Sequence, residues 1–227
     1  DRPIERSKEN AIIEALGKLP ERFLPVFEEH LMRTTRKRTV FSLIAVLRLF
    51  FTQHLKARGR PLRQKAELRQ RLFEMAMHYM EAIYTDVYRY YDLRLSLFRE
   101  VKKVDLLRDA LREKRRRFTA FLLDILSIID TSGALLNIER NFRRLSDREK
   151  ANVIELIETF GDKNISRFLV PILEGYEELA LMKIGSAKWK YTSGNAEGAL
   201  RYFREGENQW VHSIALFIEE KTLKHAA

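Results

Sequence analysis

Five histidines, His30, His54, His78, His212 and His225, are the side chains of this sequence best suited to hold a metal or pass a proton. No two of them stand four residues apart and no HExxH pattern occurs, so the spacing spells out neither a helical metal pair nor a zinc-protease centre. Cysteine is absent from all 227 residues, which excludes disulfides, thiolate catalysis and cysteine-based zinc sites. The stretch GSAKWKYTSG at 185–194 lacks the GxxxxGK[ST] order of a phosphate loop and reads as a basic loop between helices. Serines and threonines fall mostly at cap and exposed positions, with no nucleophile beside a base. Carboxylates mostly stand at helical salt-bridge spacing, as Glu113 does with Arg117 and Glu155 with nearby charges, which describes a solvated face. No catalytic residue, metal ligand or cofactor is expected.

Binding by surface is the remaining chemistry. Tyr79, Tyr84, Tyr88, Tyr90 and Tyr91 have the faces to stack bases or line a ligand groove. Tyr84, Tyr88 and Tyr91 keep helical spacing with other apolar residues and read as core, whereas Tyr79 and Tyr90 fall off that stripe and are the surface candidates.

Charge is the sharper feature. Lys plus Arg number 42 against 32 Asp plus Glu, a net charge of +10. The excess is concentrated between Arg33 and Arg71, where Arg33, Arg36, Lys37, Arg38, Arg48, Lys56, Arg58, Arg60, Arg63, Lys65, Arg69 and Arg71 face Glu67 alone. Two turns, RTTRKR and KARGRPLRQK, hold most of them. Arg36, Lys37, Arg38, Lys56, Arg58, Arg60, Arg63 and Lys65 are the candidate residues for an anionic partner. The helix expected between the turns, 39–54, spans roughly 24 Å, so they should not form one compact patch unless the fold brings them together. Three readings of this charge stay open: solubility with helix-end bonding, an anionic membrane surface or attached carrier, and nucleic acid. In a second basic run, REKRRR at 112–117, Lys114 falls within an apolar stripe, so its stem is covered while its ammonium escapes or pairs. Arg115 and Arg116 should face solvent.

These groups must be positioned by helices. Only 9 Gly and 5 Pro occur, none of either between Pro61 and Gly133, and no stretch alternates for long, so the chain reads as all-α. Within 62–98, Phe73, Met77, Met80, Tyr84, Val87, Tyr88, Tyr91 and Leu95 form one face of a long helix. A second long helix runs from about Asp105 to Ile129 on Leu107, Leu111, Phe118, Phe121, Leu122, Ile125 and Ile129, and is expected to pack antiparallel on the first. Their junction lies between Asp92 and Asp105. Ser146 and Glu149 have capping-box spacing, which predicts a helix from Asp147 to Gly161, followed by another capped by Asn164. The most apolar run, FSLIAVLRLFF at 41–51, is about half the roughly 20 residues of a membrane span, and Arg48 interrupts it. The chain opens at Asp1 with no signal-peptide pattern and is expected to be a piece of a longer protein.

Two segments share an order. Residues 11–28, AIIEALGKLPERFLPVFE, and 152–174, NVIELIETFGDKNISRFLVPILE, each give an Ile/Leu-rich helix with an internal Glu, a turn, then Arg-Phe-Leu and a proline. A weaker third copy is 195–219. A two-helix unit cannot bury both apolar faces alone, so such units stack into a solenoid. Phe23, Leu24, Phe168 and Leu169 are then expected in a shared core, with Leu156 and Phe168 buried between hairpin helices.

The hairpins resemble HEAT repeats. More narrowly, DALREKRRRFTAFLLDILSIID followed by ERNFRRLSDREKANVIELIETFGDKNISRFLVPILE resembles the HEAT-type segment after the transmembrane part of bacterial carriers related to nucleotide (ATP/ADP) translocases. The resemblance covers about 105–175 well and 8–55 loosely. It implies a cytosolic accessory domain, placed at the inner face of a membrane, with transport residues outside this chain.

The expectation is therefore an all-α, HEAT-like α-solenoid with a long central antiparallel helix pair. It comprises a hairpin and basic helix at 1–55, the helix pair at 62–130, hairpins at 131–190 and a capping hairpin at 195–227. Its function is that of a non-catalytic cytosolic scaffold or regulatory module, partnered by protein domains and an anionic membrane surface. The alternative is a nucleic-acid-binding HEAT-like protein such as a DNA glycosylase, against which only Trp189 and Trp210 occur and no aromatic and Asp cluster of that kind can be assigned.

Overall fold

The computed structural model describes residues 3–58, 65–97, 101–138, 142–192 and 194–222. Every regular element among them is helical. The α-helices are α1 (Pro3–Gly17), α2 (Leu24–Arg33), α3 (Lys37–Arg58), α4 (Ala66–Ser96), α5 (Val101–Ile129), α6 (Asp147–Phe160), α7 (Lys163–Leu173), α8 (Glu178–Ser186), α9 (Ala196–Glu205) and α10 (Gln209–Thr222). Among the described residues no helix is long and apolar enough to cross a membrane. The chain forms two compact units, 1–78 with 119–173 and 79–118 with 174–227, and both long helices contribute to each.

In the first unit α1 and α2 each pack on α3, and α6 packs on α7. Glu9 meets Arg38 and Ser42 near the start of α3, while a Cβ on Gly17 would stand 2.7 Å from the Leu49 Cβ farther along it. Residue numbers therefore rise together on α1 and α3, which run parallel. Phe27 of α2 sets its edge against Phe50, with ring centroids 5.8 Å apart, and Phe41 stacks on Phe121 at 4.1 Å. The capping box forms as expected: Ser146 accepts from the Glu149 amide, and the Glu149 carboxylate accepts from the Ser146 amide at 2.7 Å. The next cap is Asp162 rather than Asn164. Its carboxylate accepts from the Asn164 amide at 2.9 Å and its carbonyl from those of Ile165 and Ser166, so the helix starts two residues earlier.

The two Arg-Phe-Leu segments are both helical but sit differently. Arg22 and Phe23 close a 3-10 turn, and Leu24 and Pro25 open α2, whereas Arg167, Phe168 and Leu169 lie in mid-α7 ahead of Pro171. Leu24, Phe168 and Leu169 are buried and Phe23 is half-buried. Leu156 is half-buried rather than buried, because the inward face of α6 is carried by Val153 and Ile157.

In the second unit α4 and α5 run antiparallel, as paired contacts of Tyr79 with Phe118 and Asp86 with Lys114 require. The α9–α10 hairpin closes a core of Leu93, Leu107, Leu200, Phe203, Val211 and Ile218. The α5 stripe is buried at all seven expected positions. The α4 stripe differs. Phe73, Met77, Tyr88 and Tyr91 are half-buried and Leu95 is 60% exposed, while Leu68, Leu72, Ala76, Ile83 and Leu93 are inside. Burial on α4 spans a broad arc instead of one narrow face, so positions beside the expected stripe are also core.

Candidate functional site

The basic segment belongs to the first unit, and α3 runs unbroken between its two turns. At 22 residues the helix is roughly 33 Å long, which is the distance between the first turn and the point where the chain enters the second. Arg36, Lys37 and Arg38 are exposed at the entry to α3, and Lys65 is exposed just before α4. The side chains of Lys56 and Arg58, and Arg60 and Arg63 altogether, lie outside the described residues.

Part of the charge is answered by acids from α1 and α2, which counting along 33–71 alone does not register. Arg33 pairs with Glu29 at 2.7 Å, Arg38 with Glu9 at 2.9 Å and Lys65 with the buried Glu28 at 3.2 Å. Arg48 does something else. It turns inward to a bond of 2.9 Å with Asp124, whose side chain is 1% exposed, and donates a further bond to the Ile138 carbonyl. This cation is a structural member of the core and leaves the surface potential to its neighbours.

Beside the α3 entry lies a groove of about 460 Å³ between α1 and α3. Its walls are Ile12, Ile13, Leu16, Leu43 and Val46, and its rim at one end carries Lys8, Glu9, Arg38, Thr39 and Ser42. Glu9 is held by both Arg38 and Ser42, the latter at 2.7 Å. The helix above this groove is thinly packed: among the described side chains of α1 only Gly17 is buried, and Ile12 is 59% exposed.

The second unit holds the other charged cluster. Asp86, on α4, is buried and accepts from Lys114 at 2.8 Å and from the Tyr202 hydroxyl at 3.0 Å. Burial pushes the Asp86 carboxyl up despite Lys114 and Tyr202, and pushes the Tyr202 phenol up as well. Lys114 pairs, as one of its two expected alternatives required, and its ammonium also lies 5.5 Å from the Phe118 ring centre. Arg115 does not face solvent. It is half-buried, and desolvation pulls its guanidinium down while Glu178 and Asp86 oppose that shift. Arg116 is exposed, as expected.

The tyrosines are occupied within this unit. Tyr79 and Tyr90, the surface candidates, are buried at 8% and 3% exposure because of the broad α4 arc. Burial raises the Tyr79 phenol to about 12. The loop after α8 lies along α4 at three points: Trp189 stacks on Tyr84 at 5.2 Å, Tyr191 on Tyr88 at 4.1 Å, and the Gly194 amide donates to Asp92 at 3.0 Å. Tyr84, Tyr88 and Asp92 are spaced four apart, one turn each, which is the signal that could have joined this loop to α4. The stretch read as a basic loop is therefore an aromatic clamp.

Among the described residues no three His, Asp or Glu side chains come close enough to share a metal ion. Comparison with protein-family models, curated proteins and solved structures gives no match in any of the three.

Proposed function

We propose that this chain is a non-catalytic interaction module of HEAT-like helical repeats, the cytosolic part of a larger membrane transport-related protein, whose basic α3 entry meets an anionic membrane surface. The parallel course of α1 and α3, with α2 also packed on α3, is the arrangement that stacked helical hairpins need. The observation that carries the reading is the exposure of Arg36, Lys37 and Arg38 on the first turn of a helix whose middle is core. The positive end of the helix dipole adds to their field.

The test is sedimentation with vesicles. Wild type should pellet with anionic and not with neutral liposomes, and should be released as salt rises. Replacing Arg36 and Lys37 by Gln should weaken binding by about 2 kcal/mol, roughly thirtyfold, at about 1 kcal/mol for each basic residue near the surface. Equal binding by the variant would remove the surface reading. Displacement from vesicles by modest amounts of duplex DNA would favour nucleic acid instead.

A further inference from the structure

α10 is apolar on two opposite sides. Val211, Ala215 and Ile218 face the core of the second unit, while Trp210 and Phe217 are 69% and 41% exposed with the half-buried Ile214 between them. Positions 210, 214 and 217 fall on one face of a helix, so the outward residues form a continuous stripe. From Gln209 to Ile218 the helix holds no Asp, Glu, Lys or Arg, and His212 turns a ring nitrogen to the Arg204 carbonyl. Ser213, beside the stripe, already donates to the Gln209 carbonyl at 2.9 Å. A helix apolar all round is characteristic of burial on every side, and the middle of this outer face carries no polar group that needs water. Beside Trp210 a cleft of about 300 Å³ opens between α5 and α10, walled by the exposed Leu106 and by Ala110 and Ile214. Its α5 side carries both signs in equal number, Asp109 and Glu113 against Lys114 and Arg117.

We propose that the outer face of α10 pairs with the same face of a second copy of this chain, antiparallel about a two-fold axis near Ser213 and Ile214. Two features select a second copy. Trp210 and Phe217 are seven positions, or roughly 10 Å, apart along the helix, so that axis sets the Trp210 of each copy on the Phe217 of the other and covers both rings at once. The chain carries a net charge of +10, so like charges oppose self-contact over much of its surface, and a charge-free stripe beside a neutral cleft is where that repulsion is least. Ser213 at the axis is small enough to let two helices approach closely. One helix from each copy buries less than the roughly 1,200 Å² of a standard interface, so the dimer is weak and forms as concentration rises. It uses no residue of α3 and is independent of the anion-facing surface.

The experiment is sedimentation equilibrium of the full chain over a range of concentrations. Wild type is expected to pass from monomer to dimer, and Trp210→Ser to lower the association constant about thirtyfold or more, as loss of a central aromatic anchor does. Phe217→Ser should act likewise, with circular dichroism unchanged in both, whereas Leu179→Ser, at an exposed site on α8, should leave association as it is. Because the chain has no cysteine, single substitutions can then read the register. Ser213→Cys should be joined between copies by a short bis-maleimide, and Glu220→Cys, about 20 Å from its counterpart along an antiparallel pair, should not. A wild type that stays monomeric at every concentration overturns the proposal, as does a Trp210→Ser variant that dimerises as wild type does. Joining at Glu220→Cys as fast as at Ser213→Cys overturns it too.

Discussion

Removing Lys114 should destabilise the second unit far more than its place in the run REKRRR would suggest. The Asp86 side chain is 6% exposed and that of Lys114 is 17% exposed, with 2.8 Å between their charges. In Lys114→Met the carboxylate keeps the Tyr202 hydroxyl alone. Breaking one side of such a pair costs about 3–5 kcal/mol. Asp86→Asn should cost less, about 1–2 kcal/mol, because the amide still accepts from Tyr202 and the partly exposed lysine can turn its ammonium to water. The triple change Asp86→Leu, Lys114→Met and Tyr202→Phe should fall within about 1 kcal/mol of wild type, since a polar cluster replaced whole by apolar groups loses its desolvation cost together with its attraction and leaves no hydroxyl unpaired. The pH dependence follows from the raised Asp86 carboxyl. A folded value above the unfolded one contributes stability below the ordinary carboxylate range and loses it as pH rises through the folded value. Lys114 holds that value down, so its removal raises it further, and the deficit of Lys114→Met should be largest at neutral pH and shrink on acidification. Trp189 and Trp210 are the two tryptophans and both belong to this unit, so fluorescence-detected urea unfolding reports on it selectively. A deficit below about 0.5 kcal/mol, typical of surface sites, or one that grows on acidification, would refute the account of a desolvated pair.

Arg48→Met in the first unit should cost about 3–5 kcal/mol by removing the cation paired with the buried Asp124 and the donor to the Ile138 carbonyl, read as thermal unfolding by circular dichroism; a loss within surface range would mean that Arg48 is not a core member. Ile157→Ala should cost about 2–5 kcal/mol and the half-buried Leu156→Ala distinctly less, and the reverse order in urea unfolding would misplace the inward face of α6. Gly185→Ala places a Cβ 2.6 Å from the Tyr84 ring, so the clamp must shift at a cost of about 1–3 kcal/mol with a changed Trp189 emission; unchanged emission would show that α8 and α4 do not approach so closely.

Features set by local chemistry were readable in the sequence. The capping box needs only Ser146 and Glu149 three residues apart, and the seven α5 positions follow from one helix period, although 121–130 is buried on every side. The α4 face was misjudged because a helix packed along a broad arc has core positions on either side of the expected stripe, which is how Tyr79 and Tyr90 came to look exposed. The shared order of the two Arg-Phe-Leu segments gave helices in both places but not the same position for the motif within them. Composition does not specify which residue of a segment opens the helix; Pro25 sits in a first turn and Pro171 follows the Arg-Phe-Leu of α7.

The charged pairs were the least legible part, and for a definite reason. Arg48 and Asp124 are 76 positions apart and Asp86 and Lys114 are 28 apart, so no local count can join them. Each nevertheless leaves a trace, since Arg48 interrupts FSLIAVLRLFF, Asp124 interrupts FLLDILSII, and Asp86 and Lys114 each stand among buried neighbours. A charge inside an apolar stripe requires a partner to offset desolvation, so such residues should be matched to one another before any is assigned to a surface. Applied to 33–71, that rule withdraws Arg48 from the basic surface. The acids of α1 and α2 then answer Arg33, Arg38 and Lys65 in part, and the exposed Arg36 and Lys37 at the α3 entry are the cations on which the vesicle experiment turns.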